Sequence, residues 1–203
     1  MVTKLILVRH GETVENKAGI TQGHFNSQLN DNGKEQVKAV ALHLKDEKIE
    51  VCYSSDLDRC MNTAKEIIKY HPEVKIISTK QLREQTKGKY EGAKREITHA
   101  AIKQLTTPYV EWDYDGAESF IDMNNRTMKE IYKIVKENKD KTVLIVAHGG
   151  QIASVICTIN NDDIYNRQHR GSNNCAITVI EFDGSEKGTI KEFNNTKHLS
   201  SEK

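Results

Sequence analysis

Two uninterrupted apolar runs constrain the fold of this chain more than any other feature. Residues 5–8 read LILV and residues 143–147 read VLIVA, with no polar side chain in either run. Such runs are typical of strands buried on both faces of a parallel sheet, where helices cover each side. The first run leads into Arg-His-Gly at residues 9–11, and the second leads into His-Gly-Gly at residues 148–150. Both predicted strands therefore end in residues that can carry out chemistry.

Strand-like and helix-like segments alternate along the rest of the chain. This βαβα order predicts an α/β fold of three layers, in which a mostly parallel central sheet carries helices on both faces. Two strand-like segments flank Asp183-Gly184 and predict an antiparallel hairpin at the edge of the sheet near the C-terminus. We expect strands at 3–8, 51–55, 74–78 and 142–147, and helices at 30–44, 57–70, 93–105, 118–138 and 150–158.

Length, charge and cysteine spacing indicate one domain that acts on small partners. The 203 residues suit a single α/β domain, which we expect to span 1–195, with 196–203 as a loose tail. A net charge of +1 gives no field suited to nucleic acid or to an anionic membrane surface, and no run is long enough to cross a membrane. The four cysteines lack a pairing or metal-binding spacing, which indicates reduced thiols and a cytoplasmic protein without a targeting segment.

Four candidate site residues follow the predicted strands. Arg9 and His10 come after the first strand, Arg59 lies just inside the helix after the second, and His148 follows the late apolar strand. Because ligands of α/β sheets bind outside the carboxyl ends of the strands, we expect these side chains to converge. Guanidinium groups offer forked donors that match phosphate oxygens, and Gly149 opens a helix whose amides can approach an anion. A phosphoryl group fits such a pocket.

Histidine suits this pocket as a nucleophile. Its unperturbed pKa of about 6.5 leaves a neutral nitrogen at physiological pH, and the neighbouring Arg9 is expected to lower the pKa of His10 further. Since the phosphoryl transition state is loose, positioning and positive charge supply most of the catalysis. The leaving alkoxide also needs a proton, and either Glu84 or Glu91, after the third predicted strand, can supply it. Taken singly, each residue also has an ordinary structural explanation, so the hypothesis depends on convergence.

Seven short motifs occur in order between residues 3 and 180. They read LVRHGET, QG, LNDNG, YSSDLDRCMNTA, LREQTKGKYEG, GAES and VAHGG, with Asn16 after the first and Asn174 after the last. This ordered set resembles the histidine phosphatase superfamily, also called phosphoglycerate mutase-like, and is far more specific than Arg-His-Gly alone. The chain departs from the family pattern at Cys60, where relatives usually carry alanine.

The resemblance implies a role for each motif residue. In that family the histidine of Arg-His-Gly is phosphorylated during the reaction, which implies His10 as the nucleophile. The glutamate of Leu-x-Glu is the family's proton donor, which implies Glu84 as the acid and leaves Glu91 in the following Glu-Gly motif. The resemblance implies neither a metal nor a cofactor. Around the phosphoryl group it implies Arg9, Asn16, Arg59 and His148, the last also as a catalytic residue.

Loops near the predicted site carry weaker candidates for substrate binding. These are Gln22 and Gly23 in one loop, and Lys87 and Tyr90 in another. Lys87 suits a second anionic group, whereas the acidic and aromatic segment 107–118 would repel a bisphosphate; solvated loops without such roles remain an equal alternative. We therefore expect a small phosphorylated metabolite as the partner, without a more exact identity.

The leading hypothesis is a phosphatase that hydrolyses small phosphomonoesters through a phosphohistidine on His10. A cofactor-dependent phosphoglycerate mutase is the alternative within the family, although the interval from Glu84 to His148 lacks the proline-rich loop that those mutases carry. From another class, a non-catalytic module that binds phosphate or phosphoproteins is a weaker alternative, because every chemical residue is present. The hairpin at 174–193 could pair with a copy of itself, which would give a homodimer.

Overall fold

A computed structural model describes residues 2–165, 171–184 and 187–199, with the backbone alone at residue 114. Its strands are β1 (Thr3–Arg9), β2 (Val51–Ser55), β3 (Ile76–Thr79), β4 (Thr142–Ala147), β5 (Ile177–Phe182) and β6 (Gly188–Asn195). Its α-helices are α1 (Val14–Ala18), α2 (Asp31–His43), α3 (Asp58–Ile68), α4 (Arg95–Lys103), α5 (Phe120–Glu137) and α6 (Gly149–Ile159). Short 3-10 turns lie at Lys80–Leu82, Gly88–Tyr90, Tyr109–Glu111, Tyr114–Gly116 and Lys197–Leu199.

The described strands form one sheet in the order β3-β2-β4-β1-β5-β6. The four strands β1 to β4 run parallel to one another, whereas β5 runs antiparallel to both β1 and β6. The predicted α/β fold, with a mostly parallel sheet and an antiparallel hairpin near the C-terminus, is confirmed. Pairing of that hairpin with a second copy of the chain stays a prediction.

Side chains of β1 alternate between the two faces of the sheet. Leu5 and Leu7 belong to the core that α5 and α6 cover, while Ile6 and Val8 belong to the core that α2 and α3 cover. Because successive residues of a strand point to opposite faces, a strand between two helical layers needs apolar side chains at every position. All four are at most 1% exposed.

The helices complete the two outer layers with apolar stripes. On one face α5 contributes Met128, Ile131 and Ile134, and α6 contributes Ile152, Val155 and Ile156. On the other face α2 contributes Val37, Val40 and Ala41, and α3 contributes Cys60, Ala64 and Ile67. Within the described ranges, no helix combines the length and the apolar content that a membrane span requires.

The third strand begins later than the sequence predicted. Residues 74–78 read as a strand, but β3 spans Ile76–Thr79. The amide of Val74 donates a hydrogen bond to the carbonyl of His71 at 2.9 Å, which closes a turn after α3 before the chain can enter the sheet. The local turn therefore takes priority over β propensity in this segment.

Helix α1 was absent from the sequence prediction. Its five residues include no buried side chain, so no apolar periodicity marks it. A capping box stabilises its start: Thr13 accepts from the amide of Asn16, and the side chain of Asn16 accepts from the amide of Thr13. The helix matters because this box orients Asn16.

Part of the predicted tail is attached to the fold. Lys197–Leu199 forms a turn in which His198 stacks on His43 of α2, with ring centroids 5.1 Å apart. The Nε2 of His198 lies 2.9 Å from the carbonyl oxygen of Cys175. Residues 200–203 of the predicted tail lie outside the described residues.

Candidate active site

Four side chains from three separate segments line one cavity of about 460 Å³ at the carboxyl ends of the strands. Arg9 ends β1 and is followed by His10, His148 follows β4, and Arg59 lies in the first turn of α3 after β2. The parallel pairing sets Arg9 opposite Ala147, so β1 and β4 end together. Sheet topology thus brings Arg9 and His148 into the same cavity although they are 139 positions apart in sequence.

The ring of His10 is held in one tautomer. Its Nδ1 lies 2.8 Å from the carbonyl oxygen of Gly11, and a carbonyl can only accept, so Nδ1 carries the proton and Nε2 keeps its lone pair. The ring is buried, and burial, followed by the charges of Arg59 and Arg9, holds the pKa of His10 well below its usual value. A neutral imidazole with a free Nε2 can act as a nucleophile.

Arg9 brings a guanidinium with unused donor capacity. Its Nη1 donates to the carbonyl of Ser172, but its buried Nε has no hydrogen-bond partner among the described residues. Burial lowers the pKa of Arg9, while the nearby carboxylate of Glu84 raises it. A buried N–H without an acceptor is costly, and an oxygen of a bound anion would satisfy it.

Arg59 is almost fully used by the protein itself. Its Nη2 donates to the carbonyl of Gly23 at 2.7 Å and its Nη1 donates to the carbonyl of Phe25 at 2.8 Å. Its Nε donates to Nδ1 of His148 at 3.3 Å, and the Oγ of Ser27 is a second acceptor for Nη1 at 3.4 Å. Arg59 therefore holds the 23–27 loop at the cavity and gives the site positive charge, with little donor capacity left for a ligand.

Both nitrogens of His148 have protein partners. Because Nδ1 accepts from Arg59, Nε2 carries the proton and donates to the Oγ of Ser55 at 2.9 Å. Burial, with the charges of Arg59 and His10, holds the pKa of His148 well below its usual value. The two histidine rings meet edge to face, with centroids 5.3 Å apart. Cys60 packs beside His148 with Sγ 3.4 Å from Nε2, and burial raises the pKa of this thiol to about 12.

Glu84 presents its carboxylate at the start of α6. One oxygen accepts from the amide of Gly150 and the other from the amide of Gln85, both at 2.9 Å. A methyl group at position 150 would lie 2.5 Å from Oε1 of Glu84, so a larger residue there would displace this carboxylate. Glu84 lines the cavity with Arg9 and His10, where it can reach a bound ester.

Glu91, the other candidate acid, ties two loops together. Its Oε1 accepts from the amide of His24 at 2.8 Å, the hydroxyl of Thr86 at 2.6 Å and the amide of Lys87 at 3.0 Å. It is not among the described residues that line the cavity. Of the two glutamates, the geometry favours Glu84 as the acid.

Asn16 and Gln22 add polar groups to the cavity wall. The Oδ1 of Asn16 accepts from the amide of Thr13 at 3.2 Å and from Nδ2 of Asn174 at 3.3 Å. This leaves the Nδ2 of Asn16 as a donor for a ligand oxygen. The Oε1 of Gln22 accepts from the hydroxyl of Ser27 at 2.5 Å.

Lys87 reaches the cavity, whereas Tyr90 does not line it. The Nζ of Lys87 donates to Oε1 of Gln85 at 2.5 Å and to the hydroxyl of Tyr109 at 2.8 Å. The ring of Tyr90 packs instead against Trp112, with centroids 5.6 Å apart. Of these two predicted substrate contacts, only Lys87 is placed to touch a ligand.

The acidic side chains of segment 107–118 are not among the described residues that line the cavity. Asp115 pairs with Lys89 at 2.8 Å, and Glu111 accepts from the hydroxyl of Tyr165 at 2.7 Å. Neither carboxylate lines the cavity. The expected repulsion of a second anionic group therefore loses its support.

One face of α4 forms a wall that the sequence prediction missed. Its cavity residues follow the helical spacing i, i+3, i+4 and i+7, which marks a single face of a helix. The sequence contained this spacing, but the mixed polar and apolar side chains hid it. The four residues are Arg95, Thr98, His99 and Ile102. In the described parts of the chain, no cluster of three or more His, Cys, Asp or Glu side chains is arranged to hold a metal ion.

Sequence and structure comparisons point to one group of proteins. The family model of the histidine phosphatase superfamily (branch 1) matches residues 5–196. A metal-independent phosphoserine phosphatase of Arabidopsis thaliana is 33% identical, over 98% of this chain and 84% of its own length. The uncharacterized phosphatase PhoE of Bacillus subtilis is 32% identical over 98% of both chains. A phosphoserine phosphatase of Entamoeba histolytica, solved with 3-phosphoglyceric acid, superposes with a TM-score of 0.80 at 28% identity, covering 97% of this chain and 99% of its own.

Proposed function

The chain belongs to the histidine phosphatase superfamily, and we propose that it hydrolyses small phosphomonoesters through a phosphohistidine on His10. One observation carries the choice of nucleophile. The hydrogen bond from Nδ1 of His10 to Gly11 leaves Nε2 unprotonated in the cavity that Arg9 also lines, and the Nε of Arg9 has no acceptor among the described residues. The nucleophile and a donor for the phosphoryl oxygens thus lie side by side.

In the first proposed step, Nε2 of His10 attacks phosphorus as the bond from phosphorus to the ester oxygen breaks. Glu84 gives its proton to the departing oxygen, so an alcohol leaves and a carboxylate remains. Positive charge from Arg9 and Arg59 balances the charge on the equatorial oxygens. Asn16 and the amide of Gly149 at the start of α6 are further donors to those oxygens.

In the second proposed step, water attacks the phosphorus of phosphohistidine. The carboxylate of Glu84 takes a proton from that water, and the bond from phosphorus to Nε2 breaks. Inorganic phosphate leaves, and His10 returns to its neutral tautomer. His148 remains neutral beside the reacting group because burial and Arg59 lower its pKa. The Nε2–H of His148 donates to Ser55 in this structure, and it can donate to a phosphoryl oxygen instead when substrate is bound.

Two cations on the cavity wall support a substrate with a second anionic group. Lys87 donates to neutral oxygens only, those of Gln85 and Tyr109. Arg95 lines the same cavity, and neither cation forms an ion pair within the described part of the chain. A carboxylate on the alcohol, as in phosphoserine, would supply the missing negative charge. The phosphoserine phosphatases among the relatives agree with this substrate class.

The two alternative functions differ from this proposal in measurable ways. A phosphoglycerate mutase is not favoured, because the similar curated proteins include phosphoserine phosphatases and other phosphatases. A mutase would require 2,3-bisphosphoglycerate, whereas a phosphatase releases inorganic phosphate without it. A module that only binds phosphate would turn over no ester.

The decisive experiment measures hydrolysis of p-nitrophenyl phosphate in excess EDTA by the wild type and by His10→Ala. We expect turnover by the wild type and none by the variant. A rapid acid-free quench with radiolabelled substrate should trap an acid-labile label on the wild type only. Unchanged labelling of His10→Ala would refute the assignment of the nucleophile, and loss of turnover in EDTA would refute a scheme that uses only side chains.

A further inference from the structure

Arg126 of α5 reaches the segment that carries Glu84. Its Nη2 donates to the main-chain carbonyl of Glu84 at 2.9 Å, and its Nη1 donates to the carbonyl of Gln81 at 2.7 Å. Its Nε and Nη2 also grip the two carboxylate oxygens of Glu118 at 2.6 and 2.8 Å. One guanidinium therefore joins α5, the GAES motif and both ends of the 81–84 turn.

From this geometry we infer that Arg126, held by Glu118, is a positioning residue for the proposed acid Glu84. The inference rests on the proposed function, because it concerns the protonation of the leaving group. Arg126 acts on the main chain of Glu84 and is not among the residues that line the cavity. Its role is thus to place the carboxyl group and not to contact the substrate.

Glu84 is fixed at both its side chain and its main chain. The amides of Gly150 and Gln85 hold its two carboxylate oxygens, and its carbonyl oxygen lies 2.9 Å from both Arg126 Nη2 and His24 Nε2. A carboxyl group held in this way has little freedom to leave the cavity edge. Loss of the Arg126 bonds would release the main chain on which the other bonds depend.

Glu118 completes the clamp in two ways. Its carboxylate neutralises Arg126 in a bidentate pair whose side chains are only 20% and 18% exposed. Its main chain also bonds the Glu84 segment directly, since its carbonyl accepts from Nε2 of Gln85 at 2.7 Å and its amide donates to the carbonyl of Thr86 at 3.1 Å. The planar guanidinium of Arg126 donates at once to the carboxylate of Glu118 and to the carbonyls of Gln81 and Glu84, which a lysine ammonium cannot do in the same geometry.

The test compares two esters of nearly equal shape. p-Nitrophenolate leaves readily without a proton, whereas the phenolate of phenyl phosphate needs the acid more. Since a misplacement of about 1 Å can cost up to about 100-fold, Arg126→Lys should lower kcat/KM for phenyl phosphate by about 10-fold or more. For p-nitrophenyl phosphate we expect a loss of less than about 3-fold.

Arg83→Lys is the matched control. Arg83 precedes Glu84 in the chain and forms an equally bidentate pair with Asp56 at 2.6 and 2.7 Å, with side chains 25% and 23% exposed. Its guanidinium bonds that carboxylate and not a carbonyl of the 81–84 turn. We therefore expect Arg83→Lys to change both esters alike.

A double variant separates positioning from general damage. If Arg126 acts through Glu84, then adding Arg126→Lys to Glu84→Gln should cause no further loss on phenyl phosphate. If Arg126→Lys fails to fold, as a loss of circular dichroism would show, Glu118→Gln tests the same clamp. It should likewise lower kcat/KM for phenyl phosphate much more than that for p-nitrophenyl phosphate. Equal loss of both esters in the folded variant, or full additivity with Glu84→Gln, would overturn the inference.

Failure of the proposed function has a different signature. It would show as a wild type without turnover, or as a Glu84→Gln variant that slows both esters equally. With the wild type and Glu84→Gln behaving as proposed, an Arg126→Lys variant that matches Arg83→Lys on both esters would overturn the positioning role alone.

Discussion

The substitution Gly150→Ala tests the placement of Glu84 without replacing any side chain of the proposed site. A Cβ at position 150 would lie 2.5 Å from Oε1 of Glu84, and ordinary contacts begin at 3.4 Å. The carboxylate must therefore move by about 1 Å to restore an ordinary contact. A displacement of this size can lower a catalysed rate by up to about 100-fold.

The loss should concentrate in the step that needs the acid. We expect Gly150→Ala to lower kcat/KM for phenyl phosphate by about 10- to 100-fold, and that for p-nitrophenyl phosphate much less. The unfolding free energy should change by no more than about 1 kcal/mol, because the higher helix propensity of alanine offsets the weakened hydrogen bonds of the displaced carboxylate. The loss of activity would then exceed any loss of stability.

Gly149→Ala provides the comparison. A Cβ there would lie 3.3 Å from Nε of Arg9, a contact that a small shift relieves. The assay is steady-state kinetics on both esters, paired with urea unfolding of each variant. If Gly150→Ala retains full activity on phenyl phosphate, or loses activity only in proportion to lost stability, the proposed role of Glu84 at the start of α6 is wrong.

Two further predictions concern charge. His10 and His148 are buried and have lowered pKa values, so the unfolded chain binds protons that the folded chain does not as the pH falls below about 6.5. Each ring should therefore lower the unfolding free energy by about 1.4 kcal/mol per pH unit below that value, until its folded pKa is reached. In urea melts at several pH values, His148→Gln should reduce this slope of unfolding free energy against pH. An unchanged slope would contradict burial of the neutral ring. Lys87→Gln should raise KM for phosphoserine by about 10-fold while leaving phosphoethanolamine, which lacks the carboxylate, nearly unchanged; equal effects on both would exclude Lys87 as a carboxylate ligand.

The sequence predicted the site residues at the strand ends because two physical rules apply to them. Apolar runs such as residues 143–147 mark strands buried on both faces, and parallel strands end at one edge of a sheet. These rules predicted that Arg9, His10, Arg59 and His148 converge, and all four line the same cavity. No comparable rule exists for side chains that reach the site from irregular segments.

The clamp on Glu84 shows what the sequence could not reveal. Arg126 lies in an amphipathic helix where a charged residue on the polar face is ordinary, and its four acceptor atoms come from two separate segments, 81–84 and the one that contains Glu118. Likewise we expected Arg59 to face a phosphoryl group, but most of its N–H groups donate to protein acceptors. These acceptors are the carbonyls of Gly23 and Phe25 and the Nδ1 of His148. Long-range hydrogen bonds of this kind depend on the tertiary fold and leave no local pattern.

Glu84 and Glu91 show the same dependence on the tertiary fold. Glu84 and Glu91 stand seven residues apart in one polar loop, and each meets a glycine that has no room for a side chain: Gly150 faces Glu84, and Gly23 faces Glu91, whose Oε1 would lie 2.3 Å from a Cβ there. The two glycines belong to different elements. Gly150 belongs to the helix that begins at the cavity, so the carboxylate of Glu84 lies at the cavity that His10 also lines. Gly23 belongs to the loop that Arg59 holds, so Glu91 joins that loop to the main chain at Lys87. Two chemically identical side chains thus take different places in the fold because each one binds a different element.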